Sequence, residues 1–244
     1  MEPPNTKLYH LPSDAVWFIT GCSSGMGQSL AQLIAQSSNR VVATARKLPG
    51  LSSIPTSNRV LKLELDVTSI TDVEAALRAT LDKFGRIDVV VNNAGYTLVG
   101  DTEGAEDKES RAIMDTNFWG MVGVTKRVLG IIRDQNPKSG QQGGVIVNMS
   151  SMRGWSGYPA GSFYHASKFV MKGGQRLWRR SYPPPGTVSL LPLYTLFVIP
   201  PMQYRAWGMI AKDLEDIKKD LDEVKDVSLS VGDPKQLETI NFLK

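Results

Sequence analysis

Short runs dominated by apolar residues recur along this chain, spaced so that one helix fits between most neighbours. VWFIT (16–20), VVATA (41–45), VLKLEL (60–65), IDVVVN (87–92) and GGVIVNMSS (143–151) all have strand length. Strands that are apolar on both faces belong in a parallel sheet covered on both sides. The intervening segments supply the cover. GQSLAQLIAQ has apolar residues at helical spacing, and residues 107–134 and 160–180 read as longer helices. TDVEAALRATLDKFG predicts a helix with Thr71 as N-cap, Glu74 completing a capping box and Gly85 ending it. The pattern predicts an α/β fold, a doubly wound parallel sheet with helices on both faces. Residues 12–244 are expected to form one domain after an N-terminal extension, 1–11, with 181–244 as a divergent region on the substrate side.

Composition narrows the function. Hydrophobic residues make up 41% and charged residues 21%, as in ordinary globular chains, which argues against extensive disorder. The formal charge of +4 comes from 28 basic against 24 acidic residues scattered along the chain, so no nucleic-acid partner is expected. Cys22 is the single cysteine, which excludes an intrachain disulfide, and with only two histidines little remains for a metal site. The N-terminus has no apolar run of the signal-peptide kind. The longest apolar stretch, TVSLLPLYTLFVI (187–199), is too short to span a bilayer and contains Pro192. These features lead us to expect a soluble, cytoplasmic protein with no integral membrane segment.

The turn TGCSSGMG (20–27) follows the first strand and opens a helix. Glycines there let the backbone turn tightly and approach a pyrophosphate facing the helix N-terminus. A Rossmann-type dinucleotide site is therefore expected, although the spacing is G-x-x-x-G-x-G rather than G-x-G-x-x-G. Gly21, Ser23, Ser24, Gly25, Met26 and Gly27 would line it. Cofactor choice depends on the end of the second strand, where an acid would bind a ribose 2′-hydroxyl. Here VVATA is followed by Arg46 and Lys47. A guanidinium pairs bidentately with a 2′-phosphate, which favours NADP(H).

Tyr164 and Lys168, in YHASK, lie four residues apart and so share one helix face. With TGCSSGMG, NNAG (92–95), Asn117 and Ser151 in this order, the chain resembles the short-chain dehydrogenase/reductase family, specifically its single-domain, NADP-preferring carbonyl and hydroxysteroid-type reductases. The resemblance runs from about residue 14 to about residue 180. It implies that Tyr164 is the acid/base, Lys168 its partner, Ser151 the serine that orients the substrate oxygen, and Asn117 the residue holding a water in a proton relay. It also implies that Asn93, Ala94 and Gly95 lie along the cofactor, that Asp66 and Val67 meet the adenine, and that Lys168 reaches the nicotinamide ribose beside Tyr164.

The chemistry agrees with these roles. A free tyrosine has a pKa of about 10, and a nearby ammonium favours its phenolate. The expected reaction is hydride transfer from NADPH to a ketone or aldehyde of a mostly apolar small molecule, or the reverse. His165 is expected to be structural, Cys22 a small turn residue, and Arg176, Arg179 and Arg180 a solvated helix face. Trp155, Tyr158 and Phe163 are candidates either for the substrate pocket or for packing.

After Lys168 the pattern departs from the family. PPPGTVSLL resembles the approach to a sixth strand, but Pro192 precedes Leu193 where the family has a Pro-Gly turn, and Thr195 stands in for its threonine. Residues 205–226 read as an amphipathic helix covering the pocket or a neighbouring subunit. An NADP-binding sensor without turnover is the alternative reading. The family resemblance implies a homodimer or homotetramer, through the helices around 107–134 and 160–180.

Overall fold

The computed structural model describes residues 11–141, 143–157, 159–181 and 188–193. Six strands form one parallel sheet: β1 (Val16–Ile19), β2 (Arg40–Ala45), β3 (Val60–Glu64), β4 (Val89–Asn92), β5 (Gly144–Met149) and β6 (Val188–Leu193). Their order is β3-β2-β1-β4-β5-β6. The order reverses between β1 and β4, which is where doubly wound sheets open a crevice at the carboxyl ends of their strands.

The sheet buries both faces because successive strand residues point to opposite sides. Trp17 and Ile19 pack with Val41, Val89 and Val145 against Leu30, Ala31 and Ile34 of α1 (Gly25–Gln36). Val16 and Phe18 point the other way. They meet Val73, Ala76 and Leu77 of α2 (Ile70–Phe84), together with Val124, Val128 and Ile132 from the helix before β5. Phe18 is fully buried, and truncating such a ring to alanine typically costs about 3–5 kcal/mol. At the amino end of the sheet, Asp88 accepts from the Val16 amide (2.7 Å) and from Arg86 Nε (2.8 Å), and so ties β4 to β1.

Two local details differ from the sequence reading. The N-cap of α2 is Ser69, not Thr71: its hydroxyl accepts from the Asp72 amide at 3.2 Å and donates to Asp72 Oδ1 at 2.8 Å. Starting there puts Val73, Ala76, Leu77 and Thr80 on the buried face. Gly85 ends the helix in the left-handed conformation, as expected. The helical stretch 107–134 is interrupted. It runs as α3 (Asp107–Met114), a π-helical turn (Asp115–Gly120) and α4 (Met121–Asp134). Such single turns insert an extra residue and recur at functional sites.

The helix carrying Tyr164 and Lys168 is α5 (Ser162–Ser181). The apolar TVSLL stretch supplies β6, where Pro192 pairs with Asn148. Pro192 sits at the outer edge of the described sheet, where a missing N–H is tolerated. The expectations for residues 1–10, Tyr158, Thr195 and the helix at 205–226 lie outside the described residues, as do those for the side chains of Arg176, Arg179 and Arg180. Among the described residues, no helix is long and apolar enough to cross a membrane, and no cluster of His, Cys, Asp and Glu could hold a metal ion.

Candidate active site

A cleft of about 910 Å³ opens at the carboxyl ends of the strands. Its wall is drawn from the loops after β1 through β5 together with residues of α3, the π-turn and α5. At its centre the turn after β1 packs against the turn after β4. Gly21 has φ +73°, and a Cβ there would come within 2.8 Å of Ala94 Cα. A Cβ on Gly27 would overlap both Asn93 Nδ2 and the Gly21 carbonyl oxygen. Hydrogen bonds then join the turns. Thr20 Oγ1 accepts from the amides of Asn93 and Ala94, each at 3.0 Å, while Asn93 Nδ2 donates to the carbonyls of Thr20 and Gly21, each at 2.9 Å. The neighbouring Asn92 bridges to Asn148 Oδ1 (2.8 Å) and Thr125 Oγ1 (3.0 Å), holding β4 to β5 and α4. The result is a rigid cradle at the N-terminus of α1, lined by Ser23, Ser24, Gly25 and Met26. The Ser24 side chain makes no bond to the end of its own helix.

Toward one end, Ala45 closes β2 and Arg46 follows it, while Leu65, Asp66 and Val67 follow β3. Arg46 is exposed on the cleft wall. The carboxylate on the adjoining strand, Glu64, accepts from the Leu48 amide at 3.1 Å and is not part of that wall. Asp66 accepts from the Thr68 amide (2.9 Å) and hydroxyl (2.7 Å), which fixes the loop after β3. Cys22 is buried beneath the turn. Its Sγ donates to the Ile19 carbonyl at 3.3 Å and burial pushes the thiol up to about 12, so it is an inert packing group.

Tyr164 and Lys168 line the other end with Met149 and Ser150. Lys168 Nζ lies 5.8 Å from the centre of the Tyr164 ring and donates to the Met149 carbonyl at 2.8 Å. The lysine is only 6% exposed, and burial brings its ammonium down from 10.5 to about 8. The Ser150 hydroxyl is buried and has no hydrogen-bond partner among the described residues. Ser151 Oγ accepts from the Arg153 amide at 3.2 Å and caps the short turn Met152–Gly154; it is not among the cleft-wall residues.

Asn117 sits in the π-turn and is 1% exposed. Its Oδ1 accepts from the Tyr96 amide (3.0 Å), and its Nδ2 donates to the Tyr96 carbonyl (2.9 Å) and to Ser167 Oγ (3.1 Å). His165 is buried beside Gly161, tilted against the Tyr164 ring at 6.2 Å; burial, then the Arg153 charge, lowers its pKa. Trp155 is half exposed, and neither it nor Phe163 belongs to the cleft wall.

The structure therefore gathers Gly21, Ser23, Ser24, Gly25, Met26, Arg46, Asp66, Val67, Asn93, Ala94, Gly95, Tyr164 and Lys168 around one cleft. Gly27, Asn117 and Ser151 are not among the residues that line it. Sequence reasoning passed over Ser150, Tyr96 and Asp115 on the wall, and Ser167 behind it. The signals available were position alone: Ser150 adjoins Ser151, Tyr96 follows NNAG, and Ser167 lies inside YHASK.

Known proteins resemble this chain in sequence and fold. Oxidoreductase calM of Penicillium decumbens is 46% identical over 178 residues, which cover 71% of this chain and 58% of that protein. The chain spans little more than half the length of the curated relatives it matches. Among solved structures, a 3-ketoacyl-(acyl-carrier-protein) reductase from Brucella melitensis, complexed with NADH, is 29% identical. Its TM-score is 0.62, with 68% of this chain and 69% of that one covered. An alcohol dehydrogenase from Thermococcus sibiricus, complexed with 5-hydroxy-NADP, is 25% identical with a TM-score of 0.63, over 73% of this chain and 75% of that one. The family model for short chain dehydrogenases matches residues 15–203. On its glycine cradle, its Tyr164–Lys168 helix and this match, the chain belongs to the short-chain dehydrogenase family.

Proposed function

We propose that this chain is an NADPH-dependent reductase, reversibly an alcohol dehydrogenase, acting on a ketone or aldehyde of a mostly apolar small molecule. One observation carries the reading: the glycine cradle, Arg46 and the Tyr164–Lys168 pair open onto a single cleft. The residues present suit a dinucleotide. A Cβ would fill the cradle at Gly27, the α1 N-terminus faces the cleft, and the buried Ser150 hydroxyl at the far end has a hydrogen bond to give. The solved relatives are complexed with NADH in one case and an NADP analogue in the other. Arg46 at the end of β2, with Glu64 occupied elsewhere, favours the 2′-phosphate.

Gly21 through Gly27 and Asn93 through Gly95 would hold the pyrophosphate and adenosine side, with Asp66 and Val67 beside the adenine and Lys168 and Tyr164 toward the nicotinamide ribose. When bound, the cofactor supplies the hydride. The Tyr164 hydroxyl gives its proton to the substrate oxygen, and the Lys168 ammonium attracts the charge left on the phenolic oxygen. The Ser151 hydroxyl orients the substrate oxygen. With its side chain committed to Tyr96 and Ser167, Asn117 would act through its backbone as the relay station. A homodimer or homotetramer formed through the helices around 107–134 and 160–180 fits the exposed Trp119, Phe169 and Val170.

Tyr164→Phe tests the assignment. Calorimetric titration is expected to show NADPH binding within about twofold of wild type, while carbonyl reduction falls by at least about 10³-fold, the order of a lost general acid. Retained reduction would overturn the mechanism. The alternative, an NADP-binding sensor, is favoured by Pro192 and Leu193 at the end of β6, where the family has Pro-Gly. NADPH binding with no reduction of any ketone or aldehyde would select it.

A further inference from the structure

We infer that Ser167 is a positioning residue that couples the acid/base tyrosine to the π-turn of Asn117; this rests on the reductase reading. Ser167 is completely buried between Tyr164 and Lys168 on α5. Its hydroxyl donates to the Tyr164 carbonyl at 2.7 Å, the back-bond a helical serine commonly makes. That bond alone would leave the residue inert. Its second bond, accepted from Asn117 Nδ2 at 3.1 Å, crosses to a different helix fifty residues away.

The partner makes the bond consequential. Asn117 commits both amide hydrogens and its oxygen, to the Tyr96 amide, the Tyr96 carbonyl and Ser167 Oγ. Tyr96 directly follows NNAG, and that turn is fastened to Thr20 by the amides of Asn93 and Ala94. A run of bonds between 2.7 and 3.1 Å therefore leads from the cofactor cradle, through Tyr96 and Asn117, to the backbone of the residue that moves the proton. Lys168 Nζ, donating to the Met149 carbonyl at 2.8 Å, ties the same part of α5 to the end of β5.

Alanine at position 167 would be the better helix former and equally small. A buried hydroxyl is tolerated there because both its donor and an acceptor position are used. Removing it leaves an Asn117 N–H buried without an acceptor, in the turn that must hold the relay. The expected consequence is misalignment of Tyr164 relative to Asn117, with the cradle left intact.

Ser167→Ala and the nearly isosteric Ser167→Cys test this in two ways. Amide hydrogen exchange needs no turnover: Ala is expected to speed exchange across residues 115–120 and at 96–97, and to leave β1 and β2 unchanged. Unchanged exchange at 115–120 overturns the link. In steady-state assays, Ala is expected to lower kcat about tenfold, as small misplacements of reacting groups do. KM and the NADPH Kd should stay within about twofold, and Cys, whose sulfur is a weaker but present acceptor for the Asn117 N–H, should recover part of the loss. Altered Kd with unchanged kcat overturns the positioning role in favour of a merely structural one. Should Ala fail to fold, the exchange and kcat of the Cys variant, expected between those of wild type and a broken link, decide the same question. A wild-type chain that binds NADPH but reduces nothing overturns the reductase reading and the catalytic consequence together, while the exchange arm still decides the link.

Discussion

Lys168 is a buried ammonium, and its cost can be measured. It is 6% exposed, donates to the Met149 carbonyl, and loses its proton at about 8 instead of 10.5. In the unfolded chain it would bind its proton up to 10.5. Between these values the unfolded state holds more protons, so stability must rise with pH across the window. Below about pH 8 the penalty is present in full, about 3 kcal/mol at roughly 1.4 kcal/mol per tenfold change in proton affinity. Lys168→Met removes the charge while keeping a long apolar stem. It also strips the Met149 carbonyl of its donor, at about 1–3 kcal/mol, a cost that does not vary with pH. The diagnostic quantity is therefore the stability difference between variant and wild type as a function of pH. Urea denaturation of the ligand-free proteins at pH 7, 8, 9 and 10 is expected to show the variant losing about 2–3 kcal/mol of its relative advantage between the extremes. Groups that titrate in both chains cancel. A difference constant to within about 0.5 kcal/mol over that range would refute the claim that burial sets the proton affinity of Lys168.

Two further substitutions probe the other end of the cleft. Gly27→Ala places a methyl into Asn93 Nδ2 and the Gly21 carbonyl, so it should cost about 1–3 kcal/mol in urea denaturation and weaken NADPH binding at least tenfold by calorimetry; unchanged binding would show that the two turns are not held as described. Arg46→Asp exchanges a guanidinium for a carboxylate on the cleft wall, and is expected to shift the ratio of NADPH to NADH affinity toward NADH by about 10–100-fold, the worth of one or two charge-assisted hydrogen bonds. An unaltered ratio would remove Arg46 from cofactor choice.

The strands were readable because parallel sheets leave little freedom. Val41, Val42, Val89, Val90 and Val91 are buried whichever face they take, so near-continuous apolar runs are their only workable sequence. The start of α2 was less readable because its local signals are degenerate. Ser69 with Asp72 and Thr71 with Glu74 are both a hydroxyl followed three residues later by an acid. Their difference is where β3 releases the chain and which helical face must meet Phe18, a tertiary matter. The π-turn was invisible for a similar reason. Ile113, Asn117, Gly120, Val124 and Val128 recur at intervals of three and four, as in an unbroken helix. The extra residue shows only where Asn117 meets Tyr96, a contact spanning twenty-one positions.

The cleft was legible to the extent that it follows from the sheet. In a parallel sheet every strand delivers its following loop to the same end. Thr20–Gly27, Arg46, Asp66–Val67, Asn93–Gly95 and Ser150 each come directly after a strand, so the fold once inferred already places them together. Strand order refines this by setting β1 beside β4, which is why the glycine turn and NNAG interlock through Thr20 and Asn93. What strand order does not encode is the energetics of individual side chains. The depressed proton affinity of Lys168 comes from its burial, and the carbonyl it donates to, that of Met149, lies nineteen residues away. The Asn117 side chain is held by Tyr96, four residues past β4, and by Ser167 inside α5. A motif read from sequence thus identifies the groups that could react, whereas their proton affinities and alignment are properties of neighbours the motif does not contain.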